Sequence, residues 1–121
     1  MKPATKSKQN ERQRNTKKTL KVLNVKIPVW AAGVEKISTI TVDFSIRTST
    51  RFARYYLLEY EYKLRDHFFS TMEPIESDFP LEDEGKDIIK DVLIDEVNHF
   101  LKSNNVEGQV EEINILYIVG S

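Results

Sequence analysis

The chain has no cysteine, which excludes disulfides and thiolate metal sites. The compartment stays open, since many periplasmic proteins also lack cysteine. Nowhere do about 18 apolar residues run consecutively, and the N-terminal stretch has no apolar signal-peptide core. As it stands, the sequence is expected neither to span a membrane nor to export itself. Histidine is scarce, with His67 and His99 the only two. His99 follows Asp95 by one helical turn, a spacing more typical of a surface contact than of a catalytic pair. Serine and threonine are plentiful, but no Gly-x-Ser-x-Gly elbow surrounds one, and Gly85 alone makes no phosphate loop. The acidic group Glu82, Asp83, Glu84, Asp87, Asp91 and Asp95 has no EF-hand spacing, so it reads as a solvated face and a helix start. The expectation is a protein that is not an enzyme and that carries no cofactor or metal.

What is present is ordinary for a soluble domain: 121 residues, 40% hydrophobic and 31% charged, enough for one core. The net charge of −1 conceals a division. Residues 1–19 carry seven Lys or Arg against Glu11, a balance of +6, which leaves 11 basic and 18 acidic side chains beyond them, a balance of −7. That basic segment is nearly free of apolar side chains and is expected to be a disordered tail or linker. It would alternatively serve as an arm for nucleic acid or anionic lipid, but no aromatic residue is interleaved for base stacking. No nucleic acid is expected.

The longest uninterrupted pattern covers residues 51–72. It holds no Gly or Pro, and Ala53, Leu57, Tyr60, Leu64, Phe68 and Met72 recur at helical spacing. One helix is predicted there, capped by Ser49 or Thr50. Glu59 with Lys63 and Glu61 with Arg65 are spaced for ion pairs along it. A second row, Tyr55, Leu58, Tyr62 and Phe69, carries more aromatic surface than one packing face needs. It either packs on the second helix or forms a partner surface.

Before that helix, residues 20–30 alternate with Leu23, Val25, Ile27 and Val29 on one face. Pro28 places this strand at an edge, or its pairing short of that residue. A turn over residues 31–35 around Gly33 leads to a second strand with Ile40, Val42, Phe44 and Ile46 inward, forming an antiparallel hairpin. Trp30 beside the turn reads as a cap on the core, or otherwise as an exposed anchor. After the helix, residues 73–83 read as an acidic loop. A second helix is predicted over 84–103 with Ile88, Ile89, Val92, Leu93, Val97, Phe100 and Leu101 as its stripe, ended by Asn104 and Asn105. The last stretch, residues 110–121, is apolar on both faces and is predicted to be a central strand, with Ile113, Ile115, Tyr117 and Val119 on one face and Leu116 and Ile118 on the other. The result is an α+β fold in a single small domain over residues 20–121, order β-β-α-α-β, an antiparallel hairpin plus a final strand packed with two helices.

This order resembles the C-terminal domain of the flagellar basal-body-associated FliL family, over residues 23–119. The resemblance rests on the residue 23–29 segment leading into the 37–47 strand, Lys63-Leu64-Arg65-Asp66 in the first helix, Glu84-Gly85-Lys86 opening the second, and the closing strand 113–119. It implies a stomatin-like fold and a non-catalytic accessory role in the flagellar motor, in flagellum-dependent motility. It further implies an inner-membrane anchor, a domain in the periplasm, self-association in rings and association with stator proteins. Family members carry a membrane helix upstream; this sequence has none, and residues 1–19 are expected to be the linker that would follow it. A stomatin-like membrane scaffold unrelated to flagella and a nucleic-acid-binding module using the basic tail are the alternatives. The expected self-association surface combines Tyr55, Leu58, Tyr62 and Phe69 with Glu82, Asp83 and Glu84, which would meet Arg51, Arg54 or Arg65 of a neighbouring copy.

Overall fold

Alternation dictates the first two elements. A computed structural model describes residues 18–30, 37–76 and 83–120. In it, strands β1 (Thr19–Trp30) and β2 (Ile37–Thr48) pair antiparallel, with Ile27 opposite Ile40 and Val22 opposite Phe44. β1 thus begins at Thr19, inside the segment expected to be a tail. The expected turn at 31–35 and the tail over 1–17 lie outside the described residues. Ile40, Val42, Phe44 and Ile46 are buried as predicted.

The β1 alternation does not run through unbroken. Leu23, expected inside, is exposed, while Leu20, Val22, Val25, Ile27 and Val29 are buried. The reason is a β-bulge: the register slips between Val22 and Val25, and Asn24 takes the left-handed conformation at φ 57°. Asparagine tolerates that region better than most residues because its short side chain bonds locally. The inserted residue turns Leu23 off the core face. The Asn24 N–H donates to Asp43 Oδ1 across the pair at 2.7 Å.

Residues 51–71 fold as a helical run in three pieces rather than one helix. Helix α1 (Arg51–Glu59) and helix α2 (Glu61–Asp66) join at Tyr60, whose φ −110° and ψ 31° leave the helical region, and a π-helical turn (His67–Thr71) follows. The absence of Gly and Pro did not prevent the interruption. Tyr60, predicted on the core stripe, sits at the break and is only half-buried. From Leu64 to Met72 the core positions step by four, and each such step overshoots a 3.6-residue turn by roughly 40°. The wider turn, closed by Met72 N–H to His67 C=O at 2.9 Å, winds the stripe back so that Leu64, Phe68 and Met72 all reach the core. Phe68 then meets Phe44 of β2 edge to face at 6.1 Å.

The expected loop after this run contains a two-residue strand β3 (Ile75–Glu76), parallel to β1 at Val29 and Trp30. Pro28 precedes that pairing, so its missing N–H costs no ladder bond there. Helix α3 (Asp83–Ser103) buries Ile89, Leu93, Val97, Phe100 and Leu101, but Ile88 lies off this stripe and is exposed. Asn105 ends it at φ 57°, its N–H bonding Lys102 C=O at 3.1 Å while Val106 N–H bonds Leu101 C=O at 3.0 Å. These two bonds form a Schellman close, which satisfies carbonyls the helix leaves open.

Strand β4 (Val110–Gly120) pairs antiparallel with β2, and the sheet order is β3-β1-β2-β4. The last strand is therefore an edge strand, not a central one. A register shift between Asp43 and Phe44 leaves Leu116 as an extra residue, and beyond it the face reverses: Ile113 is buried, while Tyr117 and Val119, expected on its face, are exposed. Apolar residues on both sides here reflect a bulged edge strand, a device that also blunts unwanted pairing. The helical layer covers one face of the sheet over a single cluster of buried side chains. The fold is α+β with the predicted element order, extended by β3.

Candidate interaction surface

Local bonding fixes where the helical run starts. Thr50, rather than Ser49, caps α1: its Oγ1 accepts the Ala53 N–H at 3.1 Å and donates to Glu107 C=O at 2.8 Å. Ser49 exchanges bonds with Gln109, N–H to C=O at 2.8 Å and Oγ accepting the Gln109 N–H at 2.9 Å. The buried Thr48 hydroxyl lies between the carbonyls of Lys18 and Thr50, at 3.0 and 2.7 Å. Together these ties hold the β2–α1 corner to the α3–β4 connection.

From that corner the helical run presents two faces. Ala53, Leu57, Leu64 and Phe68 point inward, all fully buried. Tyr55, Leu58, Tyr62 and Phe69 point the opposite way, at 53, 43, 64 and 65% exposure. This decides between the two readings of the second row: it does not pack on α3. Phe52, at 72% exposure, adds to the same surface and was not singled out from sequence, where a lone Phe in a first turn gives no periodic signal. Glu82 lies outside the described residues, as do the side chains of Asp83 and Glu84, so the acidic half of the expected surface falls there.

Two open grooves flank the stripe. One of about 430 Å³ lies between α1 and the residue 105–107 loop, lined by Phe52, Tyr55, Tyr56 and Glu59. The other, about 570 Å³, is lined by Tyr62, Lys63, Asp66, His67 and Phe100. Between them the Tyr56 ring lies tilted against those of Tyr60, at 4.6 Å, and Phe100, at 5.9 Å. The grooves are therefore floored by rings, with carboxylates and one ammonium at their rims.

Of the arginines expected to reach a neighbour, two are engaged within the chain. The Arg65 guanidinium donates to the carbonyls of Leu23 and Asn24 at the β1 bulge and pairs with Glu61 at 3.5 Å, the pair expected from spacing. The Arg54 Nε–H donates to Thr19 C=O at 2.7 Å, with the guanidinium 5.8 Å from the Tyr55 ring centre. Lys63 lies 4.9 Å over the Tyr60 ring. Arg51 is exposed at the start of α1.

His67 is bonded from its Nε2 to Glu96 Oε2 at 2.6 Å, joining the π-helical turn to α3. Sequence reasoning missed this pair because its members lie 29 residues apart. The His99 ring lies 6.2 Å from that of His67, and its Nε2 is 3.5 Å from Ser103 Oγ. Among the described residues no group of three or more His, Cys, Asp or Glu is placed to hold a metal ion. Nor, among them, is any helix long and apolar enough to cross a membrane. No protein-family model matches the chain, and no curated protein matches it.

Proposed function

We propose that this domain is a non-catalytic accessory of the bacterial flagellar motor that works by self-association around the stator units, held in the periplasm by an inner-membrane anchor. The observation that carries the self-association is the stripe Tyr55, Leu58, Tyr62 and Phe69, exposed on the side of the helical run opposite its buried residues. Interfaces are enriched in Tyr and Phe and gain most from a few large side chains. The motor assignment draws on the resemblance to the FliL family in order and residues, from the hairpin to the closing strand. Confinement at a membrane raises the effective concentration of weakly associating copies, so a small surface suffices. The test restores that confinement: the domain is tethered to a bilayer, and proximity crosslinking is compared between wild type and Tyr55→Ala with Tyr62→Ala, both confirmed folded. Loss of crosslinking in the variant supports the surface, and equal crosslinking removes it. Capture of stator proteins by the anchored protein tests the motor assignment separately.

A further inference from the structure

The groove of about 430 Å³ between α1 and the residue 105–107 loop is both aromatic and anionic. Phe52, Tyr55 and Tyr56 supply its rings, Glu59 and Glu107 its carboxylates, and among the described residues no basic side chain lines it. Neither carboxylate has an ion-pair partner among those residues. Rings beside unpaired carboxylates suit a cation. A guanidinium suits them best, because it stacks on a ring face and also forks to a carboxylate.

The chain's own basic segment begins beside this groove. The Thr48 hydroxyl bonds the carbonyls of Lys18 and Thr50, and the Thr50 hydroxyl bonds the carbonyl of Glu107, so three hydrogen bonds join Lys18 to the near rim. Residues 1–17, which lead into that point, carry six Lys or Arg against Glu11 alone. We propose that this segment docks in the groove of its own chain, Arg14 against Glu107 and Arg12 against Glu59, with the guanidiniums over the Phe52, Tyr55 and Tyr56 rings. Arg12 and Arg14 are two residues apart, so an extended backbone points both to one side and Glu11 to the other. At about 3.3 Å per residue, Arg14 reaches up to about 13 Å from Lys18 and Arg12 up to about 20 Å. The span of α1 from Thr50 to Glu59 is about 14 Å, so a segment running alongside it covers the groove. Arg51, exposed at the start of α1, and Arg54, 5.8 Å from the Tyr55 ring centre, stay charged and oppose the approach, but Arg54 is tied to Thr19 C=O and neither lines the groove. Covalent continuity offsets that repulsion: a short tether holds the segment at an effective concentration of about millimolar, where two weak pairs suffice. The contact lies within one chain and stands whether or not copies associate.

The absence of cysteine allows a direct test, because any introduced thiol is the only one in its chain. In the full chain, Asn10→Cys carries a nitroxide label, and paramagnetic broadening is read at the amides of Glu59, Val106 and Glu107. Strong broadening there is expected, with much less at Leu23 on β1. Glu59→Gln with Glu107→Gln, or Arg12→Gln with Arg14→Gln, should lower the docked-to-free ratio about tenfold through two lost pairs, with amide positions elsewhere unchanged as the check on folding. A mixture of labelled chains invisible to the spectrometer with unlabelled visible ones should show no broadening. Groove amides that stay sharp, or broadening that neither charge-removing pair reduces, overturns the docking. Equal broadening in the mixture overturns it too, because the segment then occupies the groove of another copy.

Discussion

Replacing Gly108 by alanine tests the corner that positions the helical run. Gly108 has φ +123°, a backbone region that L side chains rarely adopt, and a Cβ there would lie 2.3 Å from Thr50 Oγ1, 3.1 Å from Ala53 Cβ and 3.2 Å from Thr50 Cγ2. Ala53 is fully buried, so it has no room to withdraw. Relief would have to come from Thr50, and its hydroxyl both caps α1 and bonds Glu107 C=O. The losses are a helix cap at about 1 kcal/mol, a hydrogen bond at about 1 kcal/mol, and backbone strain of about 1 to 3 kcal/mol. The expected destabilisation is about 3 to 5 kcal/mol, read as a lowered urea midpoint at unchanged m-value. Repeating the substitution in a Thr50→Gly background should lower its cost, because the clash with Thr50 disappears while the Ala53 contact and the backbone strain remain. A Gly108→Ala protein within about 0.5 kcal/mol of wild type, the range of an ordinary surface change, would refute the reasoning.

Other substitutions probe the faces of the run. Leu64→Ala and Phe68→Ala should each cost about 2 to 5 kcal/mol in denaturant midpoint, as truncations of fully buried side chains. Lys63→Ala should cost under about 1 kcal/mol, since its ring contact is at the surface; three similar midpoints would contradict the assignment of faces. Arg65→Met should cost about 1.5 to 3 kcal/mol by freeing two carbonyls at the β1 bulge, whereas Glu61→Gln, at the exposed end of the same side chain, should change the midpoint by under about 1 kcal/mol. Tyr55→Ala with Tyr62→Ala should leave the midpoint within about 1 kcal/mol of wild type while reducing crosslinking at a bilayer, because both rings face solvent.

Period and punctuation were enough to read the element order apart from β3, the inward face of β2, a cap at Ser49 or Thr50, a helix end at Asn104 and Asn105 and, except for the half-buried Tyr60, the buried stripe of the helical run. The departures share one physical origin, the insertion of a residue into a regular repeat. In β1 the apolar residues change phase between Val22 and Leu23, and in β4 between Ile115 and Leu116; each slip coincides with a bulge. Steps of four from Leu64 to Met72 likewise exceed an α-helical turn, which the π-helical turn absorbs. The position of β4 was not legible, because apolar residues on both faces describe a buried central strand and a bulged edge strand equally. The exposed row was visible as a surplus of rings, but only the placement of α3 decided that the surplus faces outward. His67 and Glu96 could be joined only once two helices were packed.

The Arg65 contact bears on how this domain comes apart. Its guanidinium is rooted in the helical layer and grips the sheet at the point where β1 is least regular. Loosening α2 would therefore release the Leu23 and Asn24 carbonyls, and the strand would lose order at its weakest place. Partial opening in which the helices detach while the hairpin stays intact is disfavoured, so the two layers should form one cooperative unit. Hydrogen exchange would then show the amides around Val22 and Val25 sharing their opening free energy with those of α2, a strand and a helix reporting the same event.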